Sequence, residues 1–402
     1  MATAASNVTI DPVEAFDEDK ISRLHSNALK VLKGLQAQAR NDVTGQKTAP
    51  TFQISRAAQL VGRSASAIRE AEKDGRLPPR QRTGSGHRVQ YSLEDLDQMR
   101  AVFGTRPWRD PADPVAAISI SNFKGGVGKS TTAVNLAQYL AIKGYRVLLI
   151  DCDSQASTTM LFGYVPDAQL GEGDTLYGYL HDTPLDGLRS IIRPTHFHNL
   201  DLIPANLQLY NLEYEMAAYI AQNPGGIDVI DFLAQAINTV QEDYDVIIMD
   251  PPPALGMMSM GVMQAANAMI IPMPPSMLDF SSTASFLEML KKTIRSLGQL
   301  TGKRPLYNFV KVVGSKVDDT KSMHREILEM TRSLFGDSIL RAVIKTSAEI
   351  DNASSRMKTV YELDRPVTSH EVYTRCMTFL NAVNAEIEQE ILRTWPSKEA
   401  AL

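Results

Sequence analysis

The amino-acid sequence predicts an α/β protein with a doubly wound, mostly parallel sheet and a smaller N-terminal α-helical domain. From residue 115 onwards, apolar runs alternate with amphipathic patterns of helical period, which is typical of a parallel sheet covered on both faces. A glycine-rich segment follows the first apolar run, and a strongly basic stretch precedes it. With 402 residues, 44% of them hydrophobic, the chain is long enough to bury the cores of two domains.

Composition and turn signals divide the chain into a helix within residues 1–45, a basic domain at 46–103, a linker at 104–114 and the α/β domain at 115–402. The linker is rich in proline and polar residues and has no apolar period. The predicted strands of the α/β domain are 115–121, 146–150, 199–203, 245–250, 268–273, 308–313 and a short one near 339–344. The predicted helices are 129–143, 226–242, 255–266, 281–297, 319–335 and 371–393.

The segment FKGGVGKST at residues 123–131 lies between a predicted strand and a predicted helix, which is the context of a phosphate-binding loop. Glycines allow backbone N–H groups to close around an anion, and the helix presents its positive end to it. We expect Lys129 to neutralise the outer phosphates and the Ser130 hydroxyl to bind Mg²⁺. The residues predicted to bind phosphate are Lys124, Gly125, Gly126, Val127, Gly128, Lys129, Ser130 and Thr131.

Three carboxylates are predicted to lie close to this loop. Asp151 and Asp153 follow one apolar strand and Asp250 ends another, and the carboxyl ends of parallel strands meet at one edge of a sheet. Asp250 is expected to bind Mg²⁺ through water, since magnesium keeps several waters and takes few protein carboxylates. For either Asp151 or Asp153, the alternative is that its side chain caps the turn that follows the strand.

The basic domain has the pattern of a DNA-binding module. Residues 47–91 carry nine Lys and Arg against three acids, whereas residues 92–402 have a net charge of −10. Short helices at 54–60 and 65–73, capped by Ser55 and Ser64, flank a turn at Gly62, and a hairpin signal at 80–91 precedes a third helix that begins after Ser92. The predicted DNA contacts are Ser64, Ser66, Arg69 and Lys73 on the second helix and Arg82 and Arg88 on the hairpin. The alternative is a charged face that is only solvated.

The N-terminal helix at residues 13–40 has a narrow apolar stripe that includes Ile21, Leu24 and Leu35. It is either a dimerisation helix or a helix that packs on its own domain. Two distant cysteines, Cys152 and Cys376, exclude a disulfide scaffold and a cysteine-rich zinc site. The sequence shows no apolar signal core and no run long enough to span a bilayer, so we expect a cytoplasmic protein that does not bind membranes.

Residues 124–130 resemble the deviant Walker A motif, K-G-G-x-G-K-[ST], of the ParA/MinD family of ATPases. The resemblance implies ATP and Mg²⁺ as cofactors and a homodimer in which Lys124 reaches the nucleotide of the partner subunit. Asp151-Cys152-Asp153 resembles the family's D-x-D segment, which implies that Asp153 positions or deprotonates the hydrolytic water and that Asp151 supports the magnesium shell. Residues 245–252 look like a Walker B strand that ends in Asp250.

The helix-turn-helix, basic hairpin and third helix resemble a MerR-like winged helix. Joined to a deviant Walker ATPase, this resembles the larger ParA proteins of plasmid partition, most closely the RepA group of repABC plasmids. The resemblance implies a slow ATPase that a ParB-like (RepB) centromere-binding protein stimulates. It also implies that the ATP-bound dimer associates with nucleoid DNA and that the winged helix represses its own operon.

One stretch departs from the family pattern: Lys345-Thr346-Ser347 stands where Pro-Arg-Asn is common, so adenine contacts are not assigned. Arg341, Lys345, Arg356 and Lys358 are either a patch for non-specific DNA or scattered solvated charges.

Three other function classes compete. A DNA-binding transcription regulator with a nucleotide-sensing domain has no need of Lys124, Asp153 and Asp250. A MinD-like positioning ATPase needs a basic amphipathic C-terminal helix, whereas residues 386–390 read EIEQE. A nitrogenase-type electron carrier needs cysteine ligands that two lone cysteines do not supply.

Overall fold

The computed structural model describes residues 18–39, 47–81, 84, 88–182, 187–223 and 226–401. These residues contain a seven-stranded sheet in the order β3-β4-β2-β5-β1-β6-β7. The strands are β1 (Ala116–Ile120), β2 (Val147–Asp151), β3 (Arg193–Pro194), β4 (Leu200–Ile203), β5 (Val246–Asp250), β6 (Ala268–Met273) and β7 (Phe309–Gly314). β3 pairs antiparallel with β4 and all other pairs are parallel, which confirms the predicted fold class.

The first helices of the chain are α1 (Glu18–Ala39), α2 (Ile54–Val61), α3 (Ala65–Lys73), α4 (Leu93–Phe103), α5 (Lys129–Lys143), α6 (Ser157–Leu161), α7 (Pro166–Gln169) and α8 (Leu176–Asp182). The later helices are α9 (Leu209–Gln222), α10 (Phe232–Asn238), α11 (Met257–Ala265), α12 (Met277–Leu300), α13 (Ser322–Phe335), α14 (Ala348–Ser354) and α15 (His370–Arg393). None of the described helices is both long and apolar enough to cross a lipid bilayer.

Side chains of the central strands alternate between two cores because successive residues of a strand point to opposite faces. In β5, Ile248 packs into the layer formed with α5 and α15, whereas Ile247 and Met249 pack into the layer of α9, α10 and α11. The central strands are therefore buried on both faces, as the continuous apolar runs predicted.

Two predicted elements of the α/β domain were wrong in their extent. The helix expected at 226–242 is a 3-10 turn, Gly226–Asp231, followed by the shorter α10. The strand expected near 339–344 is only an isolated parallel bridge from Ile339 to Val312. The N–H groups of Leu340 and Ile344 still bond to β7. Helix α9 lies in a region where no element was predicted.

In the basic domain, the two predicted short helices are present as α2 and α3, and a turn at Gly62 joins them. Gly62 ends α2 with a φ of +70°, and the Ser64 hydroxyl caps α3 by accepting the Ala67 N–H at 3.1 Å. Ser92 forms the predicted capping box with Asp95 at the start of α4. Ser55 was wrong as a cap, since the N-cap residue of α2 is Gln53 and its side chain makes no capping bond.

The basic domain is fixed to the α/β domain through the buried side chain of Arg100. The Arg100 guanidinium, 2% exposed, donates to the Ile142 carbonyl at 2.7 Å and to the Leu60 carbonyl at 3.3 Å. These carbonyls lie in the last turns of α5 and α2. The cation therefore stabilises the negative end of one helix from each domain. Burial lowers the pKa of Arg100 to about 10.

The predicted linker at 104–114 has no helix or strand, but it is bound to the α/β domain along its length. Arg109 is buried and donates to the carbonyls of Tyr244 and Gln241, and Trp108 donates to the Gly144 carbonyl at 3.0 Å. The two domains also share one continuous apolar core, which includes Ile68 and Leu140. The linker therefore acts as a strap and not as a flexible tether.

Helix α1 covers the described part of the predicted N-terminal helix. Ile21, Leu24 and Val31 are more than half exposed, so within one chain this part of the stripe does not pack on its own domain. Leu35 and the termini of the predicted helix lie outside the side chains that the structure describes. The dimerisation role of α1 stays a prediction.

We predict that Gly144→Ala weakens the joint between the two domains. Gly144 has a φ of +102°, and a Cβ atom there would lie 2.6 Å from Arg100 Nη1. The free energy of unfolding, measured with urea, should fall by about 1–3 kcal/mol. Gly173→Ala is the control because its Cβ meets nothing within 4 Å, and equal stability of the two variants would contradict the prediction.

Candidate functional site

The predicted phosphate-binding loop connects β1 to α5. Gly126 and Gly128 have φ values of +73° and +98°, a region that disfavours residues with a Cβ atom. Gly125 and Gly126 have open space where a side chain would stand, so an anion can approach the backbone closely. Helix α5 begins at Lys129 directly after Gly128, and its unbonded N–H groups and positive end point to the same place.

Lys129 is buried at the floor of this loop. Its ammonium group lies 3.4 Å from the Lys124 carbonyl and faces the carboxylates of Asp250 and Asp153. Burial lowers the pKa of Lys129, and these two carboxylates oppose the shift. Among the described residues, the Lys129 ammonium group makes this one long hydrogen bond, which suits it to receive a phosphate oxygen.

The parallel pairing of β2 with β5 sets Asp151 directly beside Asp250. Both carboxylates are buried, and the burial raises the pKa of each. Asp250 Oδ2 accepts a hydrogen bond from the Thr158 hydroxyl at 2.8 Å, and the nearby Ser130 hydroxyl opposes the rise in the pKa of this carboxyl. Asp250 Oδ1 is buried without a hydrogen-bond partner among the described residues.

This arrangement fits the predicted Mg²⁺ site. An unpartnered carboxylate oxygen beside the Ser130 hydroxyl offers few, hard oxygen ligands, as magnesium prefers. The described residues contain no group of three or more carboxylate, histidine or cysteine side chains that could hold a metal alone.

Both oxygens of Asp151 bond to the turn after β2, and its support of the magnesium shell stays a prediction. Its Oδ2 accepts from the N–H and the hydroxyl of Thr159, at 2.8 and 2.7 Å, and its Oδ1 accepts from the Asp153 N–H at 3.2 Å. Both oxygens thus hold the turn after β2, which is the capping alternative. Asp153 is only partly buried and accepts the Gln155 N–H at 2.9 Å, which leaves it facing the loop.

A cleft of about 620 Å³ opens above the loop. It is lined by Gly125, Lys129, Thr131, Asp153, Lys316, Ser354, Met357 and, from α1, Leu32. A larger cleft of about 1,100 Å³ lies between the two domains, but it contains none of the predicted phosphate-binding residues. Of these two clefts, the smaller one brings together the glycine loop, the start of α5 and the Asp153 carboxylate.

Sequence reasoning missed three partners of the loop. Thr158 and Thr159 hold the two buried carboxylates, and Asp279 of α12 forms an ion pair with Lys124, with 2.6 Å between Oδ1 and Nζ. Asp279 is 155 positions from Lys124 in the chain and belongs to no motif, so no local pattern identifies it.

The predicted DNA contacts separate into two groups. Ser64, Ser66, Arg69 and Lys73 are all exposed on or beside α3, although the Ser64 hydroxyl is engaged as the helix cap. Arg88 is half-buried and donates to the Glu72 carboxylate, which also accepts from the Tyr91 hydroxyl at 2.7 Å. Arg82 lies outside the described residues. The structure therefore leaves Arg69 and Lys73 as the accessible cations and ties Arg88 to its own domain.

Known proteins resemble this chain over most of its length. A family profile described as an AAA domain matches residues 115–300. SopA of Escherichia coli K12 is 37% identical over 324 residues, which cover 79% of this chain and 82% of SopA. The chain belongs to the ParA/MinD-type family of P-loop partition ATPases. A replication protein A of Rhizobium rhizogenes is 32% identical, with 87% of this chain and 89% of that protein covered.

Solved structures also have a fold similar to that of this chain. A structure titled Partition Protein covers 93% of this chain and 99% of its own, with 21% identity and a TM-score of 0.64. The complex of a Cyanothece McdA variant with ATP covers 69% of this chain and 98% of its own, with 20% identity and a TM-score of 0.55. Family membership confirms the predicted family and fold class, and it agrees with ATP and Mg²⁺ as the cofactors.

We predict that Asp250→Asn stabilises the nucleotide-free protein at neutral and basic pH. The fold raises the pKa of Asp250 above its unfolded value of 3.8, so ionised Asp250 lowers the free energy of unfolding. Removing this charge should add about 1–3 kcal/mol at pH 8. The gain should shrink as the pH falls through the folded pKa of about 6, and it should vanish below about 3.8, where the wild-type carboxyl is protonated in both states.

Urea unfolding at pH 8 and pH 4.5 measures this difference. Asp243→Asn is the control because that carboxylate is exposed and pairs with Arg189. A pH-independent effect of Asp250→Asn, or a loss of stability at pH 8, would show that the buried charge is compensated in the nucleotide-free state.

Proposed function

We propose that this protein is a DNA-segregating ATPase that hydrolyses ATP slowly, as a dimer, and is stimulated by a ParB-like centromere-binding protein. The observation that carries this proposal is the buried, unpartnered Oδ1 of Asp250 beside Lys129 and the N-terminus of α5. An uncompensated buried carboxylate is unfavourable by itself and becomes favourable when a divalent cation with phosphate completes the site.

The loop residues supply binding and orientation. The N–H groups of the glycine turn and of α5 bind the phosphates, and Lys129 stabilises the charge that spreads over the transferred phosphoryl group. Ser130 and Asp250 would hold Mg²⁺, which supplies charge neutralisation between the phosphates. Asp153 orients the attacking water, and Asp151 keeps Asp153 in place through the turn after β2.

The dimer follows from the position of Lys124. This lysine precedes the glycines, its side chain is 41% exposed, and Lys129 already fills the floor of its own loop. We assign Lys124 to the nucleotide of a partner subunit, so that hydrolysis requires two chains. The exposed apolar stripe of α1 is a second candidate for contact between chains.

The basic domain binds operator DNA through α3 and represses the operon of the protein. Arg69 and Lys73 carry this part of the proposal because both are exposed on one face of the helix after the turn. Non-specific binding to nucleoid DNA belongs to the ATP-bound dimer, which accounts for a cytoplasmic, nucleoid-associated protein. A transcription regulator that only senses nucleotide is the second candidate, because the basic domain is rigidly joined to α5 through Arg100.

We predict that Lys129→Ala reduces ATP hydrolysis by a hundredfold or more, since one preorganised cation on transferring phosphate contributes about two orders of magnitude. The hydrolysis rate is measured with DNA and the centromere-binding protein and without them. Lys292→Ala is the matched control, as Lys292 is exposed and pairs with Glu288. A wild type that binds ATP but never hydrolyses it would favour the regulator.

We predict that the double change Arg69→Ala and Lys73→Ala weakens binding to operator DNA. Two lost phosphate contacts should reduce the slope of log K against log salt by about 1.8. Fluorescence anisotropy between 50 and 300 mM salt measures the slope. Arg76→Ala is the control, because Arg76 is equally exposed but pairs with Asp74 at 2.7 Å. An unchanged slope would remove α3 from the DNA interface.

A further inference from the structure

Lys124, the lysine assigned above to a second subunit, is bound to its own chain in the structure. Its Nζ lies 2.6 Å from Asp279 Oδ1, and the Asp279 side chain is only 13% exposed. The backbone beneath it is also fixed, since the Lys124 N–H donates to Asn122 Oδ1 at 3.1 Å. The side chain therefore runs to α12, away from the phosphate cradle.

Asp279 is held in position for this contact. It occupies the first turn of α12, where its N–H donates to the Ser276 hydroxyl at 3.1 Å. The same hydroxyl donates to the Oδ2 of Asp279, which leaves Oδ1 for Lys124. Among the described residues, Lys124 is the cation that forms an ion pair with the Asp279 carboxylate. The carboxylate is thus preorganised as an acceptor, and the contact needs no further ordering of α12.

The same turn of α12 carries an apolar surface. Met277 is 56% exposed and Leu278 is 79% exposed, directly before Asp279. These two side chains give the first turn of α12 a small apolar surface beside the ion pair. Their position next to Lys124 places the first turn of α12 on the face that a second subunit must approach.

We propose that the Lys124–Asp279 ion pair is a latch that holds the signature lysine in its own subunit and opposes ATP-dependent dimerisation. This rests on the proposed role of Lys124 at the partner's nucleotide. An ammonium group held by Asp279 has to leave it before it reaches a phosphate on another chain. Closing the dimer exchanges one carboxylate contact per subunit for contacts with the more highly charged triphosphate. Asp279 is therefore a positioning residue that sets the threshold for dimer formation.

The size of the effect follows from the exposure of the pair. A partly exposed ion pair shifts an equilibrium by about three- to fivefold. Two latches open for each dimer, so the association constant should change by the product of two such factors, roughly tenfold or more. Salt should reduce the effect because the lysine end is open to solvent.

The test compares wild type, Asp279→Asn and Glu288→Gln by sedimentation equilibrium of the full chain with Mg²⁺ and a non-hydrolysable ATP analogue. Asp279→Asn removes the charge but retains an oxygen that can accept from Ser276, and Asp279→Ala is the second variant. Glu288 is the control acid on the same helix, paired with Lys291 and Lys292. Unchanged melting temperatures establish that each variant is folded.

The latch predicts that Asp279→Asn dimerises at about tenfold lower protein concentration than wild type at 50 mM salt, with a smaller difference at 500 mM. Glu288→Gln should match wild type. Equal or weaker dimerisation of Asp279→Asn would overturn the latch, the weaker result meaning that Asp279 contributes to the dimer interface.

Lys124→Ala separates this inference from the proposed function. If Lys124 acts across the dimer, Lys124→Ala does not dimerise, and adding Asp279→Asn to it restores nothing. Dimerisation of Lys124→Ala at the wild-type concentration would overturn the role of Lys124 between subunits, whatever Asp279→Asn does. A defect in Lys124→Ala with no effect of Asp279→Asn would overturn the latch alone.

Discussion

Two carboxylates buried side by side, Asp151 and Asp250, are the constraint on which the rest of the site depends. The register between β2 and β5 places them together, away from water, where ionised groups are unfavourable. The protein compensates them unequally. Asp151 receives three hydrogen bonds from the turn that follows it, whereas one oxygen of Asp250 is left without a partner among the described residues. The uncompensated negative charge is therefore concentrated on Asp250 Oδ1, beside the phosphate-binding loop.

The same constraint explains the form of the loop. Lys129, the positive end of α5 and the N–H groups of the glycine turn all converge on the carboxyl edge of the sheet. Among the described residues, none of these groups donates a hydrogen bond to Asp250 Oδ1. The site therefore keeps N–H donors for an anion and one carboxylate oxygen for a cation. A metal–phosphate pair satisfies both at once, which neither a metal nor a phosphate does alone.

Helix α5 has a second function at its other end. Its last carbonyls accept from Arg100 of the basic domain, and Trp108 of the strap donates to the Gly144 carbonyl that follows. One helix thus joins the phosphate-binding loop to the basic domain.

The sequence by itself determined the elements whose signals are local. The glycine turn, Lys129, the capping residues Ser64 and Ser92 and the apolar strands were all predicted from patterns within about ten residues, and the structure has them there. The boundaries of α10 and the absence of a strand near 339–344 were not predictable in this way. Both depend on how the chain meets distant parts of the sheet.

Only the tertiary structure decided which partners the charged side chains take. It assigned Asp151 to the turn, Arg88 to Glu72, Arg100 to two helix ends and Lys124 to Asp279. Most of these contacts join residues far apart in the chain, and their strength depends on burial, which is a property of the folded molecule. Sequence therefore identified the groups that carry the chemistry, and packing determined which of them remain available for it.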